Sequence, residues 1–182
     1  MLKNEGPADL REICIALSAN MLELAGKGDY EVCRNMENKA LADGSALRRF
    51  SEMIASQHGD ASIIENSSRL GKAPFSLEVR AHTSGFVSHM DTGKIGIASV
   101  LLGAGRKTKE DKIDYTAGVL LKKKYGEKVQ EGETLVTLYT SDESTLTAAL
   151  AEMQGAYAIE KLQPAAEKLV FAKVTAENIE IF

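Results

Sequence analysis

Gly118-Val119-Leu120-Leu121 and Thr134-Leu135-Val136-Thr137-Leu138-Tyr139 flank the segment Lys122-Lys123-Lys124-Tyr125-Gly126-Glu127-Lys128-Val129-Gln130-Glu131-Gly132-Glu133. Each flank is a short apolar run rich in valine, leucine and threonine, and reads as a strand. Between them, Gly126 and Gly132 bracket a short extended piece. Glycine accepts the left-handed backbone that a tight reversal requires. The stretch therefore predicts a small antiparallel sheet with two glycine turns.

Working outward, Phe75, Leu77, Val79 and Ala81 alternate with Ser76, Glu78, Arg80 and His82. That is the period of a half-buried strand. Ser84-Gly85 turns the chain and Phe86 to Met90 supplies a partner strand. Asp91 can cap a helix in which Ile95, Ile97, Ala98, Val100, Leu101 and Leu102 are apolar nearly all round. Burial of that helix follows as an expectation. Gly103-Ala104-Gly105 stops it. Leu146, Ala149, Leu150, Met153 and Tyr157 predict a last helix, Leu169 to Val174 one more strand, and a fainter alternation runs to Phe182.

Upstream, the first sixty residues read as three helices. Pro7 opens the first, with Leu10, Ile13, Cys14, Leu17, Met21 and Leu24 at helical spacing and Gly26 closing it. Asp29 caps the second, which carries Val32, Cys33, Met36 and Ala40 on one side. Ser45 is expected to cap the third, with Leu47, Phe50, Met53 and Ile54 inward. Residues 59–74 form a polar connection, and a domain boundary is expected near residue 72. The fold class expected is α+β.

Composition narrows the function. Of 182 residues, 22 are Lys or Arg and 26 Asp or Glu, a net charge of −4 that gives no global attraction to nucleic acid or anionic membranes. The longest apolar run, Ile97 to Leu102, is too short to span a bilayer. The start, Met1-Leu2-Lys3-Asn4-Glu5-Gly6-Pro7, lacks the apolar centre of a secretory leader, so a cytoplasmic protein is expected. Cys14 and Cys33 are the only cysteines and are expected to be buried free thiols.

Few residues suggest chemistry. Gly103-Ala104-Gly105-Arg106 fails the dinucleotide fingerprint, since residue 108 is Thr, and has no Gly-Lys-Ser/Thr of a P-loop. It reads as a glycine helix stop. His58, His82 and His89 share no metal-ligand spacing with the cysteines. Asp111 and Asp114 could form a carboxylate pair, but Arg106, Lys109 and Lys112 surround them. The loop from Arg106 to Asp114 holds four basic residues, counting Lys107, and three acidic ones. It is expected to pair with itself, with Asp111 or Asp114 gripping a partly buried Arg106. Arg106, Asp111 and Asp114 are thus structural candidates. No catalytic, cofactor-binding or metal-ligating residue is assigned.

Taken together, Gly103-Ala104-Gly105-Arg106, Lys109-Glu110-Asp111, Ile113-Asp114, Gly118-Val119-Leu120, Lys122-Lys123, Gly126-Glu127-Lys128-Val129 and Gly132-Glu133 resemble the pyrimidine-nucleoside and thymidine phosphorylase family. Asn4-Glu5-Gly6-Pro7, Asp9-Leu10, Glu12, Gln57, Gly59-Asp60, Gly85-Phe86-Val87 and Asp91 extend the resemblance upstream. It implies that residues 1–72 are the helical end of a central α/β catalytic domain. Residues 73–182 would be the C-terminal α/β domain, with a barrel-sandwich-like antiparallel sheet and flanking helices. It further implies a longer parent enzyme that cleaves a pyrimidine nucleoside with inorganic phosphate as co-substrate. In the family, the Lys-His-Ser phosphate loop, the base-holding residues, the monovalent-cation ligands and most of the homodimer contact lie upstream of Asn4. The partner implied for this chain is the remainder of that catalytic domain. Helices lacking those sheet partners are expected to leave an apolar face exposed.

A second likeness is kept. The Gly126 and Gly132 corners resemble lipoyl and biotinyl carrier domains, with Asp111-Lys112 as the modification candidate. A non-catalytic interaction domain is the third reading.

Overall fold

The computed structural model describes residues 1–106 and 108–182. It separates into two compact units, Met1–Ser67 together with Glu167–Phe182, and Ser68–Ala166. The boundary expected near residue 72 follows the polar connection and the change from helical to strand period. The observed division follows contacts, and in it residues 167–182 accompany the helices.

In the first unit, α1 (Ala8–Leu24), α2 (Tyr30–Ala42) and α3 (Ser45–Ser56) follow the three expected segments. The Asp29 carboxylate caps α2, accepting from the Val32 N–H at 2.9 Å. Helix α3 differs: Ser45 is its first residue, Gly44 stands at the cap, and the Asp43 carboxylate accepts from the Ser45 N–H at 2.8 Å. α1 packs on α2 through Ile15, Ala16 and Ala19, with Cys33 buried on α2. Arg34 pairs with Glu12 at 3.2 Å, and Arg11 donates to the Asn38 side-chain oxygen at 2.8 Å.

The expected inward stripe of α1 therefore points elsewhere. Ala19 lies two residues, about 200°, round the helix from Leu17. With Ala16 and Ala19 against α2, the residues Leu10, Cys14, Leu17, Met21 and Leu24 are exposed. Small side chains let two helix backbones approach closely, and that contact outweighs the pull of the larger residues. Val32, Met36, Phe50 and Met53 are exposed as well. Cys14 is thus not buried, whereas Cys33 is, and burial pushes its thiol pKa up.

In the second unit, β1 (Phe75–Arg80) and β2 (Gly85–Met90) precede α4 (Thr92–Leu101). Next come β3 (Gly118–Leu121), β4 (Lys128–Val129), β5 (Thr134–Thr140), α5 (Leu146–Met153) and β6 (Tyr157–Glu160). They form two three-stranded sheets, in the orders β1-β5-β3 and β4-β2-β6, and every pairing is antiparallel. No closed barrel forms among the described residues. The class is α+β, as the sequence predicts. β5, the middle strand of its sheet, is buried on both faces from Leu135 to Leu138. Val87, Leu102, Val129, Val136 and Leu138 form the centre of the core.

Both glycine corners are hydrogen-bonded turns of one design. Glu127 N–H donates to the Lys124 carbonyl at 3.1 Å and Glu133 N–H to the Gln130 carbonyl at 3.0 Å. Gly126 and Gly132 each stand at φ 80°, the third position of a type II turn. Each turn is then closed by its own glutamate. Glu127 accepts from the Lys124 N–H at 2.7 Å, and Glu133 from the Gln130 N–H at 2.9 Å.

Two expectations for this unit give way. α4 is not buried all round: Asp91 caps it by accepting from Lys94 N–H at 3.0 Å, and it packs on α5 and β3. Ala98 is buried on that side, while Ile97 is left exposed on the other. The last helix also ends early. Gly155 at φ 75° breaks it after Met153, and Tyr157 instead starts β6, which pairs with β2. The tail hairpin of β7 (Ala172–Val174) and β8 (Ile179–Ile181) belongs to the first unit, where Lys173 pairs with Glu23 at 2.5 Å.

Two glycines give opposite predictions. A Cβ at Gly85 would stand 2.3 Å from the Glu160 carbonyl oxygen, so Gly85→Ala should force β2 and β6 apart. A loss of about 1–3 kcal/mol is expected. Gly96 sits within α4 with open space about its Cβ position, and Gly96→Ala should stabilise by about 0.5–1 kcal/mol. Urea unfolding of both variants measures the two shifts in midpoint.

Candidate functional site

The loop from Arg106 to Asp114 begins where α4 ends. After Leu102 the chain turns at Gly103, φ 102°. The Gly103 N–H donates to the Val100 carbonyl at 3.1 Å and the Ala104 N–H to the Ser99 carbonyl at 3.1 Å. Those donors satisfy the last carbonyls of the helix. They are not free to cradle a phosphate, so Gly103-Ala104-Gly105 acts as a helix stop.

Asp114 is the anchor of this region. Its N–H donates to the Gly103 carbonyl at 2.9 Å. One carboxylate oxygen accepts from the Thr116 N–H at 2.9 Å and the Thr116 hydroxyl at 2.7 Å. The other accepts from the Ser141 N–H at 2.9 Å. Thr116 precedes β3 and Ser141 follows β5, which are paired strands, so a single carboxylate holds the open end of that pair. These hydrogen bonds, those of Thr116 first and Ser141 after, hold the Asp114 carboxyl pKa down at about 2 against the opposing effect of desolvation.

Asp111 has a smaller local task. It accepts from the Thr108 N–H at 3.0 Å and the Thr108 hydroxyl at 2.8 Å, closing a turn within the loop. Arg106 is exposed, and no ion pair joins it to a carboxylate among the described residues. The expected grip of Asp111 or Asp114 on a half-buried Arg106 is therefore absent: backbone amides and threonine hydroxyls outcompete the guanidinium for both carboxylates. Lys107, part of the loop's charge count, lies outside the described residues.

The remaining candidates also stay apart. His58, His82 and His89 are exposed. No group of three His, Cys, Asp or Glu side chains able to hold a metal occurs among the described residues. Lys123 pairs with Glu133 at 2.7 Å and donates to the Lys128 carbonyl at 2.9 Å, which places it inside the turn architecture. Lys112 is exposed in an irregular stretch between α4 and β3.

One feature the sequence did not suggest is a shallow depression lined by Val79, Arg80, His82, Leu135, Met153, Gln154, Gly155 and Tyr157. Two of its polar groups, Arg80 and Tyr157, are committed elsewhere. The Arg80 guanidinium donates to the Gly132 carbonyl at 2.9 Å and pairs with Glu78. The Tyr157 hydroxyl donates to the Lys123 carbonyl at 3.0 Å, and burial, with Glu127 nearby, pushes its pKa up to about 12. Tyr157 is therefore neutral at ordinary pH and fixed in place.

Asp114→Ala should destabilise the second unit by about 1.5–3 kcal/mol, the range for a hydrogen bond to a charged group. Asp114 has a folded pKa near 2, below its unfolded value near 4, so its contribution is complete above pH 4. It is lost as pH falls toward 2, and the gap between wild type and variant should close there. Arg106→Ala should leave the melting temperature nearly unchanged. Thermal melts of the three proteins from pH 2 to 7 test both statements.

Residues 86–160 match the family described as the pyrimidine nucleoside phosphorylase C-terminal domain. The chain is 44% identical over 143 residues to a pyrimidine-nucleoside phosphorylase of Geobacillus stearothermophilus, a match covering 78% of this chain and 33% of that protein. The Bacillus subtilis enzyme of the same name is 43% identical over 144 residues, covering 79% of this chain and 33% of the enzyme. That of Staphylococcus aureus strain N315 is 42% identical over 141 residues, 77% of this chain and again 33% of the enzyme. The matched stretch thus spans about a third of these relatives. A match of 143 residues in a chain of 182 extends beyond residues 86–160 and reaches α3 in the helical unit. No helix among the described residues is long and apolar enough to cross a membrane. The antiparallel sheets, the glycine corners and the Asp114 anchor lie within or next to the matched region; residues 86–160 carry the pyrimidine nucleoside phosphorylase C-terminal domain, and the chain is similar to the C-terminal portion of the pyrimidine-nucleoside phosphorylases.

Proposed function

We propose that this chain is the C-terminal portion of an enzyme that splits pyrimidine nucleosides with phosphate, and that it serves the reaction as scaffold. In that reaction a phosphate oxygen bonds to the sugar C1′ as the C1′–N1 bond breaks. The bonding electrons leave with the pyrimidine, which takes up a proton, and (deoxy)ribose 1-phosphate remains. The step needs donors that fix phosphate in line and a group that stabilises charge on the departing base.

The observation that carries this reading is the extended similarity to three phosphorylases, together with the commitment of the loop's carboxylates and amides to holding strands and helix ends. In this reading the phosphate and base groups, and any monovalent-cation site, are provided by phosphorylase residues outside this chain. The same holds for the larger part of the catalytic domain and for the homodimer contact. The setting is the cytoplasm, with no role for nucleic acid or membrane. The carrier reading has less support, because Lys112 stands in an irregular stretch rather than at a strand-to-strand turn.

The test is release of uracil from uridine, or thymine from thymidine, in phosphate buffer. The purified chain should give no turnover, and turnover that persists through purification would refute the scaffold role. Intact mass after expression with lipoate and biotin should be that of the bare polypeptide. An adduct on Lys112 would instead favour a carrier.

A further inference from the structure

The shallow depression of the second unit lies where its two sheets meet. Val79, Arg80 and Leu135 come from one sheet and Tyr157 from the other. The strand pair on one side is irregular. Val79 faces Val136 and Arg80 faces Thr134, so Leu135 is an extra residue on β5. Such a bulge bends the strand and re-aims a side chain, here into the depression. Leu135, Met153 and Tyr157 are buried and make an apolar floor. Gly155, at φ 75°, turns the chain away from α5 and puts no side chain into the opening. The rim is polar. His82 and Gln154 are exposed there, beside Arg80. No aspartate or glutamate lines the depression. The Lys94 ammonium adds a further positive charge at its edge, 3.5 Å from where a Cβ on Gly155 would stand.

We propose that this depression is a binding site for a small aromatic carboxylate. Size sets the first limit. The depression holds about 200 Å³, room for a single ring, since an engineered apolar cavity of about 150 Å³ admits benzene. The floor sets the second. Leu135, Met153 and the Tyr157 ring present hydrocarbon, a polarisable thioether and an aromatic surface, all of which favour a flat apolar body. The rim sets the third. With Arg80, Lys94 and His82 around the opening and no acidic lining, a negative head group is favoured and a cationic one is repelled. Arg80 is held ready for that head group. One hydrogen on Nη1 goes to the Gly132 carbonyl and one on Nη2 to Glu78, which leaves a second hydrogen on each nitrogen. Its pair with Glu78 is solvent-exposed, so a carboxylate that also buries a ring competes with it. An inorganic anion would leave the floor uncovered, and a neutral ring would leave the rim unused.

The experiment titrates the isotope-labelled chain with benzoate at pH 7 and follows its amide resonances. Shifts should concentrate at residues 79–82, 135 and 153–157, with a Kd on the order of 1 mM for so small a ligand. Benzamide and benzylamine keep the ring but not the negative charge, and each should bind about tenfold more weakly or worse. Acetate keeps the charge without the ring and should also lose about tenfold or more. Arg80→Gln should weaken benzoate by about fivefold or more. Where the spectrum of that variant shows an altered fold, His82→Gln takes its place, with a loss of about threefold expected from one fewer donor on the rim. Shifts scattered over the surface, or none at the lining residues, overturn the site. Benzamide as tight as benzoate overturns the anionic assignment, and acetate as tight as benzoate reduces it to charge attraction alone, which also overturns it. Unchanged benzoate affinity in the folded variant does the same. Binding is read on this chain by itself, so the outcome is independent of phosphorolysis.

Discussion

The second unit depends on how the C-terminus of α4 is closed. A helix end leaves carbonyls without partners, and burying them unpaired would cost more than most side-chain contacts return. Here the Leu102 carbonyl accepts from the buried Thr140 hydroxyl at 2.9 Å, and the Gly103 carbonyl accepts from the Asp114 N–H. Thr140 is the last residue of β5, and Asp114 leads into β3. The polar end of one helix is therefore held by the ends of two paired strands. The Thr116 and Ser141 amides on the Asp114 carboxylate complete that junction. Residues that look like a ligand loop in sequence are committed to joining helix to sheet.

That commitment bears on function. Phosphate binding would need free backbone donors or an unpaired basic group held in a defined position. In this loop the glycine-stop amides end a helix, the carboxylates hold turns and strands, and Arg106 extends into solvent. The glycine corners at 126 and 132 follow the same rule: each closing glutamate is used by its own turn. Asp111, Asp114, Glu127 and Glu133 thus serve the architecture of the unit.

The helical unit presents the opposite balance. Its internal contact is built from Ile15, two alanines and one buried cysteine, backed by Arg34–Glu12 and Arg11–Asn38. Its largest apolar side chains lie outside that contact. Exposed apolar surface of this extent on one helix is unusual for a self-sufficient domain.

Much was legible in the residues alone, where local chemistry decides. The alternation of Phe75 to Arg80, the Asp29 and Asp91 caps, the glycine stop after α4 and the Gly126 and Gly132 corners depend on neighbours a few positions away, and they stand as read. The family motifs were legible too, because they lie in linear order. Facing and partnership were decided only by the tertiary structure. α1 has apolar residues on two sides, so periodicity could not tell which side meets α2; backbone approach through Ala16 and Ala19 chose. Tyr157 carries no signal that separates a continuing helix from a new strand; Gly155 and the free edge of β2 made it a strand. Asp114 has basic neighbours in sequence, yet it takes the Thr116 and Ser141 donors, because folding brings those amides into place at the strand ends and leaves Arg106 to water.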